Sequence, residues 1–225
     1  MIDFRLRAKI PKHMEHRMFL TADTDFGRCS VIKKRQRPYL TVKDMDDTLV
    51  KRWNGKVPST DNVIVVGDFA QLNHGDYEEL LNGYITHING DYCKVPDNVP
   101  SQKSLIIEAR GMTFLLVHNP NDLEPCWHDW VEHENCYIIA GERNVYPYNP
   151  YKSAPFYDKK NKMFNVSVDA THYQPVSLQY ICDVIENDGA GLQYSHTDEI
   201  VGFVGGLFKE LDGIAADVAI PKEGK

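Results

Sequence analysis

The sequence predicts an α/β protein, a mixed β-sandwich flanked by helices, on three observations. Seven short runs rich in Val, Ile and aromatic residues recur along the chain, helical patterns alternate with the first of them, and later runs are paired across tight turns. The runs are MFLTA (18–22), NVIVVGD (62–68), YITHI (84–88), SLIIEA (104–109), MTFLLVH (112–118), CYIIAG (136–141) and MFNVSVDA (163–170).

Taken in order, the first twenty residues are basic and lack both a continuous apolar segment and a small-residue cleavage site, so they do not read as a signal peptide, and residues 1–17 read as an N-terminal extension. In TVKDMDDTLVKRW, Thr41 is placed to cap a helix that carries Met45, Leu49 and Trp53 on one face. HGDYEELLNG forms a second helix ending at Gly83. Strands separated by helices pair in parallel through right-handed crossovers. Arg110-Gly111 and the stretch around Lys160-Asn161 read as hairpin turns, and Ser177 as the cap of an amphipathic helix. The predicted organisation is an extension over 1–17, a domain over 18–182 and an appendage over 183–225.

The 225 residues suffice for one domain with a substantial core, and no apolar stretch approaches the length of a bilayer span. A cytoplasmic location follows by default, that of the host for a phage gene, with no membrane partner. Cys29, Cys93, Cys126, Cys136 and Cys182 are odd in number and form no Cys-x-x-Cys pair, which argues against a disulfide framework and a thiolate zinc site. A net charge of −7 disfavours broad nucleic-acid binding but allows a small phosphorylated ligand.

Functional groups of α/β sheets gather at the carboxyl ends of strands. Those positions hold Asp23 and Asp25, then Gly67-Asp68, Gly90-Asp91-Tyr92, His118, and Gly141-Glu142-Arg143-Asn144. From about residue 18 to 182 this series resembles the calcineurin-like metallophosphoesterases, in particular the small bacterial and phage enzymes, whose pattern is Asp-x-His, Gly-Asp, Gly-Asn-His-Asp or Glu, His, then Gly-His-x-His. RPY, MDDTLVKRWN, VIVVGDFA, YEELLNG and NVSVDATHYQPVSL also resemble family text. The resemblance implies a metallophosphoesterase-like fold with two metal ions bound by Asp23, Asp25, Asp68, Asp91, His118, Glu142 and Asn144, Asp68 bridging them. It also puts Tyr92 where the family has its catalytic histidine. Only Asp23, Asp68 and His118 keep the family's residue type.

Oxygen ligands in place of imidazoles shift metal preference toward manganese, magnesium or calcium. Tyrosine is a poor substitute for a histidine that handles a proton near neutral pH. Five clustered carboxylates cannot all ionise in a partly buried site without a cation or large upward pKa shifts. Either a divalent ion supplies the positive charge or an arginine does, with Arg143, Arg28 and Arg110 as candidates, and in the second case no metal is bound. Alternatively, Asp23 and Asp68 are structural carboxylates, the replaced positions are solvated loop residues, and Tyr92 packs over the vacated site.

Elsewhere, His13 and His16 lie in the extension, and His128 and His133, five apart in WHDWVEHE, do not share a helical face. WHDW fits a lid or contact surface as well as a buried position. The tail places Ile200, Val204, Leu207, Phe208 and Leu211 at loose helical spacing, interrupted by Gly205 and Gly206. The sequence therefore predicts a degenerate metallophosphoesterase with impaired or absent catalysis, acting as a binding or assembly module. Residues 183–225 would contact a protein partner or a second copy. The alternative is an active, metal-dependent phosphoesterase acting on a phosphorylated small molecule or nucleotide.

Overall fold

In the computed structural model, the described residues are 7–90, 101–120, 133, 135–141 and 156–189. The chain divides into Met1–Ser195 and a short unit, His196–Lys225, which falls wholly outside the described residues. The expected appendage is therefore described only as far as residue 189.

The apolar runs of the first half become a sheet buried on both faces. β2 (Met18–Thr21), β3 (Asn62–Gly67) and β4 (Tyr84–Asn89) pair in parallel, flanked by β5 (Ser101–Gln102) beside β4 and β11 (Val176–Ser177) antiparallel to β2. Continuous hydrophobicity is what double burial requires. Val63 and Val65 face helix α2 (Val42–Lys56), where Met45, Leu49 and Trp53 are buried, while Ile64 and Val66 face the second sheet. The Thr41 side chain accepts from the Asp44 N–H and caps α2, as its position predicted.

The second sheet runs in the order β1 (Arg7–Lys9), β6 (Ser104–Ala109), β7 (Met112–Val117), β8 (Cys136–Ala140), β10 (Met163–Asn165), β9 (Tyr157–Asp158). Its two expected hairpins form, β6 with β7 and β9 with β10. Arg110 and Gly111 both take positive φ, at 50° and 75°, as a two-residue hairpin turn requires. Between the sheets, Leu20, Ile64 and Ile88 pack with Ile107, Phe114 and Leu116. Helix α4 (Leu178–Glu186), capped by Ser177, adds Leu178, Ile181 and Val184 to the same core.

Two sequence expectations are corrected. Helix α3 (His74–Leu80) stops three residues before Gly83, because α2 captures the chain beyond it. Trp53 Nε1 donates to the Asn82 carbonyl at 2.8 Å, Asn54 Nδ2 to the Leu80 carbonyl at 2.8 Å, and Asn54 Oδ1 accepts from the Asn82 N–H at 2.8 Å. The run MFNVSVDA is a strand only as far as Asn165; beyond it Ser167 forms a single bridge to Ala22, which turns the chain toward the end of β2.

Residues 7–17 join the domain through β1, which pairs with β6, and through a 3-10 turn (Lys12–Arg17) beneath α4. Arg110 fastens that turn: its guanidinium meets Glu15, Asp183 and Glu186, each at 2.7 Å. Glu15 is fully buried, so removing its partner strands a charge. Arg110→Ala is expected to lower stability by about 3 kcal/mol in urea unfolding; a change below about 1 kcal/mol would show that water replaces the pair.

Candidate functional site

The site is built where the ends of β2, β3, β4, β7 and β8 come together. After β2 the chain passes through Asp23 and Asp25 with φ of 50° and 53°, a left-handed conformation that aspartate tolerates better than most residues. Tertiary bonds hold this loop in place. Phe26 N–H donates to the Phe69 carbonyl at 2.8 Å, Thr24 Oγ1 to the same carbonyl at 2.7 Å, and Gly27 N–H to both oxygens of Asp46 at 3.2 Å.

Three glycines let the loops close. A Cβ at Gly67, where φ is 124°, would lie 2.2 Å from His118 Cδ2 and 2.7 Å from Asp23 Oδ1. One at Gly90 would lie 2.1 Å from Asp68 Oδ1, and one at Gly141 would lie 2.3 Å from the Val66 carbonyl. The glycines of the motif series are thus steric requirements of the pocket.

Of the residues expected at the site, Asp23, Asp25, Asp68 and His118 converge. Asp23 Oδ1 accepts from His118 Nε2 at 3.0 Å and from the Asp68 N–H at 3.3 Å. Asp91, Tyr92, Glu142, Asn144 and Arg143 lie outside the described residues, as does WHDW. Arg110, expected as an internal cation, is instead engaged by Glu15 and α4.

Among the described residues, the site's cations are Arg28, Arg35 and Arg37. Arg28 Nη1 lies 2.7 Å from Asp25 Oδ1 and 3.5 Å from Asp68 Oδ2. Arg37, whose side chain has 0% exposure, pairs with Asp169 at 2.8 Å and with Asp25 at 3.4 Å. It also donates to the carbonyls of Asp23 at 2.6 Å and Thr24 at 2.9 Å. Arg35 lies 3.8 Å from Asp23 and 3.9 Å from Asp169. Among the described residues, the carboxylates of Asp23, Asp25, Asp68 and Asp169 thus face the guanidiniums of Arg28, Arg35 and Arg37. Sequence reasoning passed over Arg35, Arg37 and Asp169: RPY and NVSVDATHYQPVSL stood out as text, but nothing in them says that Arg37 meets Asp169 across 132 positions.

Burial raises the Asp25 carboxyl to about 6, with Asp23 adding to the rise and Arg37 and Arg28 opposing it. Burial also pushes Asp23 upward, but the His118 bond, the charge on His118 and Arg35 outweigh it and leave this carboxyl below its ordinary value.

The side chains described here do not fit a metal pair. Arg28 stands within ion-pairing distance of Asp68, the carboxylate such ions would share, and of Asp25, a further expected ligand. A divalent ion about 4 Å from a guanidinium would be repelled by roughly 8 kcal/mol at an effective dielectric near 20. A separate cluster of ligand-type groups, absent from the expected set, lies under α3: His74, Glu78 and His87 each offer an atom within 4.8 Å of the others. Its sequence clue was a His and a Glu four apart on one helical face, followed by a His in the next strand.

Two expectations follow. Below the unfolded value of 3.8 the raised Asp25 carboxyl contributes its full stabilisation, and this is lost as pH climbs through about 6. Asp25→Asn should therefore flatten the fall in stability between pH 4 and 6 by up to about 3 kcal/mol relative to wild type; parallel urea-derived profiles would contradict this. Gly141→Ala should destabilise by at least about 2 kcal/mol, because its Cβ meets backbone; an unchanged melting temperature would show that the loop yields.

No family model matches the chain. A solved structure described as the protein of unknown function AQ665 from Aquifex aeolicus shares the fold, with a TM-score of 0.57 at 19% identity over 74% of this chain and 98% of that one. A Vps29 variant from Entamoeba histolytica aligns with a TM-score of 0.38 and 11% identity over 68% of this chain and 75% of the other, too low a score to bear on fold or function. A curated sequence, Uncharacterized protein MJ1445 of Methanocaldococcus jannaschii, is 33% identical over 175 residues, which are 76% of this chain and 92% of that protein. The chain belongs to the family of MJ1445.

Proposed function

We propose that this protein is a metallophosphoesterase-like domain whose catalytic centre has become a guanidinium-carboxylate network, and that it acts as a binding or assembly module. The position of Arg28, against both Asp25 and Asp68, carries the reading. Hydrolysis by two metals needs a bridging carboxylate open to both ions and a hydroxide between them. Here Asp68 already shares a cation with Asp25. A guanidinium stays protonated throughout the physiological range, so it serves neither as a base nor as a source of hydroxide. His118 is committed to Asp23 at 3.0 Å.

The network suits a structural task. Arg37 fastens the loop after β2 to the segment after β10 through Asp169, and Arg28 fastens the same loop to the end of β3. Charges placed in this way hold the loops at the strand ends in one conformation. The alternative, a working phosphoesterase, is favoured by the convergence of Asp23, Asp25, Asp68 and His118, and it requires Arg28 to swing away.

The assay that separates them uses EDTA-stripped protein, manganese, magnesium or calcium, and an aryl phosphodiester, with Asp68→Asn as control. No metal-dependent hydrolysis is expected. Turnover that needs manganese and disappears in Asp68→Asn would overturn the proposal. The assembly role is tested by truncation after Gly189, not at residue 183, because Asp183 pairs with Arg110 and Val184 is core. The truncated protein is expected to remain folded and to lose self-association or partner capture; an unchanged sedimentation profile and partner set would remove the tail from the argument.

A further inference from the structure

The buried histidines under α3 have no place in the network just described. His74 opens α3 and Glu78 follows four residues later on the same helical face. His87 lies on β4 opposite Val65 of β3, and Val65 belongs to the core beneath the helices, so the His87 ring points toward α3. His87 is 1% exposed and His74 is 7% exposed.

Hydrogen bonding within the protein leaves this cluster incomplete. His87 Nε2 meets Glu78 Oε1 at 2.6 Å, which satisfies one ring nitrogen. Among the described residues, His87 Nδ1 and both nitrogens of His74 are buried and complete no hydrogen bond, although the Ala70 carbonyl stands close enough to His74 to favour its N–H. A buried polar group left without a partner is costly. Phe69 packs against both rings, with centroids 4.9 Å from His74 and 5.1 Å from His87, and the two imidazoles lie 5.7 Å apart. Burial lowers the pKa of both histidines, and so favours the neutral imidazole that binds metal. A neutral imidazole keeps one lone pair that only a donor or a cation can satisfy.

The geometry points to a divalent transition-metal site, with zinc as its first candidate, formed by His74, Glu78 and His87. Two imidazoles and one carboxylate are a ligand set that zinc takes, with a fourth position left to water. Donor atoms around a tetrahedral zinc stand about 3.3 Å apart, given bonds of about 2.0–2.1 Å. The three here all lie within 4.8 Å of one another, so the widest separation must close by up to about 1.5 Å, while the Glu78–His87 pair at 2.6 Å must open slightly. The Ala70 carbonyl beside His74 is the kind of outer partner that orients a metal-bound imidazole. Glu78, 31% exposed, leaves the site a route to solvent. None of this rests on the reading of the Asp-Arg network.

The test is titration of the full-length, EDTA-stripped protein with zinc by calorimetry, and with cobalt(II) by visible absorption, in wild type, Glu78→Gln, His74→Gln and Asp68→Asn. Glu78→Gln can keep a hydrogen bond to His87 while losing the ligand's charge, so it preserves the fold if His74→Gln does not. The expected result is one zinc per chain, strong bands of four-coordinate cobalt, and a melting temperature that rises with zinc. Glu78→Gln should weaken binding at least about tenfold, and Asp68→Asn should leave it unchanged. The proposal is overturned if zinc fails to bind, if Glu78→Gln and any folded His74→Gln bind as wild type does, or if Asp68→Asn abolishes binding. The last outcome would instead revive the carboxylate cluster as the metal centre.

Discussion

The buried guanidinium of Arg37 is the constraint on which the site depends. It donates to two backbone carbonyls of the loop after β2 and pairs with Asp169 and Asp25, so one side chain ties together segments far apart in sequence. Taking such a charge out of water is costly, and only a nearly complete set of partners offsets the cost. Burial works against the Arg37 charge, while Asp169 and Asp25 hold its pKa above the ordinary value. The left-handed turns at Asp23 and Asp25 persist because bonds to the ends of β3, to Asp46 and to Arg37 determine them from several sides.

Around that constraint the sandwich divides its labour. The doubly buried sheet supplies rigid strand ends, and the glycines at 67, 90 and 141 let their loops approach within contact distance of His118 and Asp68. A site of charged groups needs such rigidity more than an apolar core does, because a partly satisfied network costs more than none. The same architecture accounts for the separate behaviour of the two faces of β3 and β4. One face meets the second sheet through Ile64, Val66 and Ile88; the other receives α2 and α3, and there His87 meets Glu78.

Two ways of handling buried polarity coexist in the domain. Among the described residues, the strand-end carboxylates Asp23, Asp25 and Asp68 stand against arginines of the same chain. The imidazoles beneath α3 have one carboxylate between them and nitrogens to spare. The contrast explains why the metal question divides in two. Where guanidiniums already stand against Asp25 and Asp68, an added cation is repelled, whereas under α3 the imidazoles keep nitrogens that no described side chain bonds.

The sequence by itself determined the α/β class, the parallel order of the first strands, both hairpin turns and the caps at Thr41 and Ser177. These follow from local periodicity and turn chemistry, which act over a few residues. It also brought Asp23, Asp25 and Asp68 to one place, because β2 and β3 are parallel neighbours whose carboxyl ends must meet, whereas His118 reaches them from β7 of the second sheet through the packing of the two sheets. Only the tertiary structure decided which cations would answer those carboxylates. Arg110 was as good a candidate as Arg28 by sequence, yet it sits at a hairpin turn at the other end of β6 and β7, where Glu15 and α4 hold it. Arg37 finds Asp169 across 132 positions, and His87 meets Glu78 because the ladder of β4 on β3 turns its ring toward the helix. Periodicity names the faces of an element, but packing between elements decides what each face meets.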